Sequence, residues 1–217
     1  MNSVLENLKK IDINTAKVRL IAVTKYVTTD KIIEAYEAGI RNFAENRYQD
    51  AEQKRKELPP EIENDIIWHF IGHLQSNKAK KVTGNFEYIH SVDSFKLAKQ
   101  ISEDAKIKNI NQKVLIQVNV SKEETKFGLE IDDVKEVFSK IIELDSINVQ
   151  GLMTIGPNVM DEAVIRRSFR ELRDLKNELQ EKFHYELPEL SMGMSNDYRI
   201  ALEEGSTMIR LGRVLFS

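Results

Sequence analysis

The chain has 217 residues, room for one large domain or two small ones, and its 41% hydrophobic fraction can bury a substantial core. Its 32 basic and 35 acidic residues leave a formal charge of −3 without the clustered basic excess of a nucleic-acid binder, and the absence of cysteine excludes disulfides, zinc ribbons and thiol catalysis. No apolar run approaches the roughly 20 residues of a membrane helix and residues 1–10 lack a signal-peptide core, so a soluble cytoplasmic protein is expected.

A helix is predicted over residues 3–11, followed by a strand over 20–25. The periodic segment 30–38 predicts a second helix, stopped by Gly39. Strands follow over 42–46, 68–72, 88–92 and 114–120. Segments 132–144 and 162–183 carry apolar positions three and four apart and predict amphipathic helices, with a strand over 149–155 between them. A strand over 190–194, a short helix over 197–204 stopped by Gly205, and a strand over 208–212 complete the series. Eight strands alternating with helices imply parallel strands covered by helices. With no break in composition, the expectation is an α/β single-domain (β/α)8 TIM barrel over 1–217. Such a barrel typically takes about 250 residues, so little room remains for insertions. The chain stops at Val214-Leu215-Phe216-Ser217, which leaves the eighth outer helix nearly absent; the N-terminal helix is placed to cover that gap. A small complete barrel suits a monomer.

In such barrels reactive groups gather at the C-terminal ends of the strands. Those ends carry Lys25, Asn46, Gly72 with His73, Asn119, Met153 with Thr154, Ser195, and Arg210 with Gly212. An aldehyde condenses covalently with a primary amine, and Lys25 supplies one at the end of the first strand. The loops after strands seven and eight are the customary phosphate site, and here they read Gly193-Met194-Ser195-Asn196-Asp197 and Gly212-Arg213. Ser195 is expected to cap helix 197–204, and Gly212 permits close approach of the main chain. One strand-end lysine with two phosphate turns is a constellation suited to pyridoxal 5′-phosphate (PLP). Alternation places Ile21, Val23 and Lys25 on one face, and Met208, Arg210 and Gly212 on another. If both faces point inward, the first and eighth strands meet at closure and Lys25 and Arg210 flank one cavity. Partial desolvation beside a guanidinium would then favour the neutral, nucleophilic amine. Arg210 set against the pyridine nitrogen would leave that nitrogen unprotonated and the ring a weak electron sink, which argues against a transaminase.

Plainer readings stand beside these. Ser195 can serve only as a helix cap, and Arg210 can pair with a carboxylate inside the barrel. Asn46 is either a cofactor contact or a residue that orients its own turn; Met153 packs near the ring or in the top core layer. His69 and His73 are separated along a strand by about 13 Å, too far to share a zinc ion about 2.1 Å from each nitrogen, so no metal site is expected. His73 is read as a loop histidine, with the cofactor mouth as the alternative. Lys78, Lys80 and Lys81 read as a solvated helix face, with a phosphate or partner contact as the alternative. The charged loop 121–126 discloses no role.

The sequence also resembles the pyridoxal phosphate homeostasis proteins over nearly its whole length. Eight ordered blocks carry the likeness, among them Ala22-Val23-Thr24-Lys25, Glu45-Asn46-Arg47-Tyr48-Gln49, Gly151-Leu152-Met153-Thr154 and Gly205-Ser206-Thr207-Met208-Ile209-Arg210-Leu211-Gly212. The others run over 68–78, 89–93, 118–128 and 190–195. The resemblance implies a barrel of the alanine-racemase N-terminal-domain type, with PLP joined to Lys25, Arg210 facing the pyridine nitrogen, and Ser195 and Gly212 holding the phosphate. The expected cofactor-binding set is Lys25, Asn46, Met153, Ser195, Asn196, Arg210, Gly212 and Arg213. The resemblance further implies a part in cellular PLP and amino-acid balance without established catalysis, and apo forms of PLP-dependent enzymes as recipients. The runner-up is a PLP-dependent amino-acid racemase. Its second acid/base, in the resembled racemases, comes from an added C-terminal domain; here no tyrosine follows Tyr198, so the carrier is favoured. The chain departs from the family at Ala44, where glycine usually precedes Glu45-Asn46.

Overall fold

In the computed structural model, which describes residues 3–11, 13, 16–121, 123 and 126–217, all eight predicted strands form. They are β1 (Arg19–Val23), β2 (Asn42–Glu45), β3 (Ile67–Phe70), β4 (Tyr88–Val92), β5 (Gln112–Gln117), β6 (Ile147–Met153), β7 (Glu189–Ser191) and β8 (Met208–Leu211). Each pairs in parallel with the next, and β8 returns to β1 to close the barrel. The covering helices are α1 (Ser3–Ile11), α2 (Thr29–Glu37), α3 (Tyr48–Glu57), α4 (Pro60–Glu63), α5 (Ala79–Val82), α6 (Phe95–Ile107), α7 (Ile131–Ile141), α8 (Glu162–Phe183), α9 (Tyr198–Glu203) and α10 (Arg213–Phe216).

Strand alternation sorts the apolar residues into two cores. Ala22, Phe43, Trp68, Ile116, Leu190 and Ile209 point outward and pack with helix residues such as Ile101, Phe138, Phe169 and Leu172. Ile21, Ala44, Tyr88, Leu115, Met153 and Met208 form a separate cluster inside the barrel. The inward placement of Ile21 and Met208, and the β1–β8 seam with Ile21 opposite Arg210, agree with the sequence expectation.

Met153 reaches the interior through an irregularity. Val149 belongs to the outer core, so strict alternation would turn Met153 outward as well. Between Val114↔Val149 and Leu115↔Gly151 the β5–β6 register shifts, leaving Gln150 as an extra residue. The strand beyond this bulge is therefore inverted, and Met153 faces in. Gly151 is required there, because a Cβ atom would lie 1.8 Å from the Glu189 carbonyl oxygen of β7. Gly151→Ala is expected to destabilise the protein by at least about 3 kcal/mol, because main chain cannot yield as a side-chain tip can. A urea midpoint equal to that of the wild type would contradict this.

Four residues of helix, α10, follow β8. The first helix supports it: the Asn7 side-chain amide donates to the carbonyls of Leu215 (3.2 Å) and Ser217 (2.8 Å). α9 is fastened to α8 by Glu204, whose buried carboxylate accepts from Arg166, Arg170 and Arg173. Among the described residues, no helix is long and apolar enough to cross a membrane.

Candidate functional site at the C-terminal mouth

Lys25 does not end a strand. β1 stops at Val23, and the chain turns through Lys25 and Tyr26, closed by the Val27 amide donating to the Thr24 carbonyl at 2.8 Å. Lys25 is exposed, its ammonium 5.1 Å from the Tyr26 ring centroid, so the expected desolvation beside Arg210 is not realised. Alternation could not carry past Val23, because a turn does not preserve it. What the turn provides is an unencumbered amine: Lys25 makes no hydrogen bond or ion pair with the described residues. Lys54, from α3, is committed by contrast. It donates to the Thr24 carbonyl at 2.6 Å and pairs with the buried Glu45, which also accepts from the Thr24 hydroxyl at 2.6 Å. This Thr24–Glu45–Lys54 knot pins the main chain just before Lys25.

Arg210 lies inside the barrel, 3% exposed. Its guanidinium donates to Ser191 Oγ at 2.6 Å and to the Thr154 carbonyl at 2.7 Å. The alternative of a carboxylate partner is not what the structure shows, since Arg210 forms no ion pair among the described residues. Burial pushes its pKa down to about 10, against which the Asp197 carboxylate pulls upward. Burial in turn raises the Asp197 carboxyl, while the Met194 amide, donating to it at 2.6 Å, pulls it down.

The phosphate turns converge, though not as expected. Asp197 rather than Ser195 precedes α9 as its N-cap residue. Ser195 reaches the last helix instead, its Oγ accepting from the Val214 amide at 3.4 Å. Gly212 is the N-cap residue of α10, and the Arg213 guanidinium donates to Asn196 Oδ1 at 3.1 Å. Ser195, Asn196, Gly212 and Arg213 therefore form one cluster across the β7 and β8 loops. It offers a hydroxyl, a side-chain amide and a guanidinium, donor types that a dianion needs.

The remaining candidates are dispersed. Asn46 follows β2, its Oδ1 buried without a hydrogen-bond partner, and its main chain lies so close to Gly72 that a Cβ there would fall 2.0 Å from its carbonyl oxygen. Met153 is buried in the interior layer. His73 stands at the rim, stacked on Phe127 at 3.7 Å and 3.3 Å from Asp93, whose carboxyl is raised by burial and lowered in part by His73. His69 is inside the barrel, hydrogen-bonded to His90 and Asn42. Among the described residues no group of three or more His, Asp or Glu side chains is arranged to hold a metal. Lys78, Lys80 and Lys81 are exposed, consistent with a solvated face. In loop 121–126, residues 122, 124 and 125 lie outside the described residues. Lys126 ties that loop to the next, donating to Glu123 at 2.7 Å and to the Gly156 carbonyl at 2.9 Å.

The family model described as alanine racemase, N-terminal domain, matches residues 1–217. A pyridoxal phosphate homeostasis protein of Aquifex aeolicus is 44% identical over 91% of this chain and 86% of its own. The solved structure of PipY from Synechococcus elongatus with PLP bound superposes with a TM-score of 0.89, at 37% identity, over 99% of this chain and 100% of that one. The chain belongs to the pyridoxal phosphate homeostasis protein family. An alanine racemase of Clostridium difficile shares the fold, with a TM-score of 0.81 at 13% identity over 98% of this chain and 55% of that one.

The residues present fit the cofactor of this family's name. A free amine meets an aldehyde, a buried guanidinium without an ion-pair partner suits a ring nitrogen, and the Ser195–Arg213 cluster suits a phosphate. A cavity of about 350 Å³ opens at the other end of the barrel, lined by Arg55, Trp68, Phe86 and Lys113. It lies away from the strand ends where chemistry gathers, and its Lys113 amine is occupied by Glu87. The sequence reading missed Ser191, His90 and Lys54. Their signal was available only as inward parity on β7 and β4 and as a helix face turned toward Glu45.

Proposed function

We propose that this chain binds PLP reversibly through Lys25 and carries or buffers it, supporting intracellular PLP and amino-acid balance, with apo forms of PLP-dependent enzymes as recipients. Bound PLP supplies an electrophilic aldehyde carbon, an anionic phosphate and a pyridine ring. The single observation that carries the reading is the pairing of an amine free of hydrogen bonds and ion pairs among the described residues with an anion cup across the β1–β8 seam. Lys25 would attack the aldehyde and release its oxygen as water. Ser195, Asn196 and Arg213 would hold the phosphate, with the Gly212 main chain allowing close approach, and Arg210 would keep a donor against the ring nitrogen. The Thr24–Glu45–Lys54 knot keeps the second nearby amine out of competition, since a hydrogen-bonded ammonium is not a nucleophile.

The test is a visible absorbance spectrum of the protein loaded with PLP, followed by borohydride reduction and peptide mapping. Label on Lys25 is expected; label on another side chain overturns the assignment. Ser195→Ala is expected to weaken PLP retention on the order of tenfold, the worth of about one charge-assisted hydrogen bond, measured by equilibrium dialysis. Retention equal to the wild type would remove Ser195 from the cup. The racemase alternative rests on fold alone. Exchange of α-protons in deuterated water with a panel of amino acids separates the two, and rapid stereoinversion would overturn the carrier.

A further inference from the structure

A buried polar chain runs down the barrel interior beneath Arg210. Arg210 Nη1 lies 2.6 Å from Ser191 Oγ, and Ser191 Oγ lies 3.0 Å from His90 Nδ1. His90 Nε2 is 2.9 Å from His69 Nδ1, and His69 Nε2 is 3.0 Å from Asn42 Oδ1. Ser191, His90 and His69 are each fully buried. The direction of every bond follows from one end, because a guanidinium only donates. Ser191 oxygen therefore accepts from Arg210, and its own hydrogen goes to His90 Nδ1. His90 must then carry its proton on Nε2 and donate it to His69 Nδ1, and His69 donates from Nε2 to Asn42 Oδ1. The reverse polarity would place a proton on His90 Nδ1 and strand the Ser191 hydroxyl hydrogen in the interior, at a cost of about 1–3 kcal/mol. Neutral rings accord with burial, which pushes His69 down to about 3 and His90 well below its ordinary value. The stacked Tyr88 ring, 4.9 Å from His69 and 5° from parallel, holds the lower histidine in its plane.

We propose that Ser191, His90 and His69 are positioning residues that form a one-way hydrogen-bond chain, fixing the Arg210 guanidinium at the floor of the mouth before any ligand arrives. With one N–H held by Ser191 and another by the Thr154 carbonyl, the guanidinium cannot rotate, and its other N–H groups are presented in a single orientation. The consequence for affinity rests on the proposed PLP site; the chain itself does not.

Nitrogen-15 NMR of the histidine rings and of the Arg210 guanidinium, on the full-length protein without PLP at pH 7, tests the chain directly. His69 and His90 are expected as neutral Nε2–H tautomers, and the Arg210 Nη resonances are expected to be separately resolved. A proton on Nδ1 of either ring, a cationic ring, or Nη signals averaged by free rotation overturns the proposal. In Ser191→Ala, His90 is expected to lose its single tautomer, the Nη signals to average, and PLP affinity to fall on the order of tenfold, with borohydride still fixing label on Lys25. A folded Ser191→Ala protein with unchanged ring and guanidinium signals also overturns it. Should that variant not fold, the wild-type resonances decide. Should the wild type take up no PLP, the carrier reading fails while the same resonances still decide the chain.

Discussion

Lys25→Ala abolishes the borohydride-fixed PLP adduct and the visible absorbance that goes with it. The expectation is all-or-none among the described residues, because Lys54, whose amine reaches the Thr24 carbonyl next to Lys25, is held there and by Glu45. Lys25 is exposed on a turn and supports no packing, so the variant should keep wild-type stability within about 0.5 kcal/mol. Non-covalent PLP should persist through the Ser195–Asn196–Arg213 cluster and be removed by dialysis. Mass spectrometry of the reduced variant reads the outcome. A surviving adduct on Lys54 or any other side chain would show that the exposed turn is not the point of attachment.

The free energy of unfolding should fall by about 2 kcal/mol between pH 7 and pH 5 through His69 alone, with His90 acting in the same direction. His69 and His90 are buried as neutral rings, with folded-state pKa values lowered chiefly by burial and, for His90, next by the neighbouring His69; the value for His69 is about 3. Once unfolded, each returns to about 6.5. Between those limits the unfolded chain binds protons that the folded chain refuses, so stability is fully present above about pH 6.5 and drains away as the pH falls toward 3. His69 contributes about 2 kcal/mol over the stated interval, and His90 adds to it in the same direction. The carboxylates whose pKa values are lowered by lysine partners, such as Glu34, Glu123 and Glu136, act at lower pH, while Asp93 and Asp197, raised by burial, oppose the effect in part. Urea denaturation at the two pH values measures it. Equal unfolding free energies would mean that the rings are charged or hydrated in the native state, against the buried chain.

The barrel was legible because strand and helix periodicities alternate without interruption, and β4 even ends where its pattern ends. The other seven strands stop one to three residues before the predicted ends. The reason is common to them: residues such as Lys25, Gly72, Asn119 and Met194 continue an apolar-looking segment but leave the hydrogen-bond ladder to shape the mouth. Local propensity does not register the loss of a ladder partner. The same limit explains Ser195, whose capping chemistry was recognised but whose partner, α10, comes from another strand. Parity put Arg210 on one face with Met208, and the structure turns that face inward. Its supports were invisible because His90 and Ser191 come from β4 and β7, and no pattern within one strand says which neighbours its inward residues will touch. The Gln150 bulge was equally hidden, although Gly151 marked the spot.

Closure of β1 against β8 has a consequence for the order of events in a cell. The proposed nucleophile, Lys25, precedes by nearly the whole barrel the proposed anion clamp, which Arg213 completes and which Asn7 flanks through the carbonyls of Leu215 and Ser217. On the proposed assignment, a nascent chain that has made Lys25 but not yet Arg213 could react with free aldehyde but not keep it.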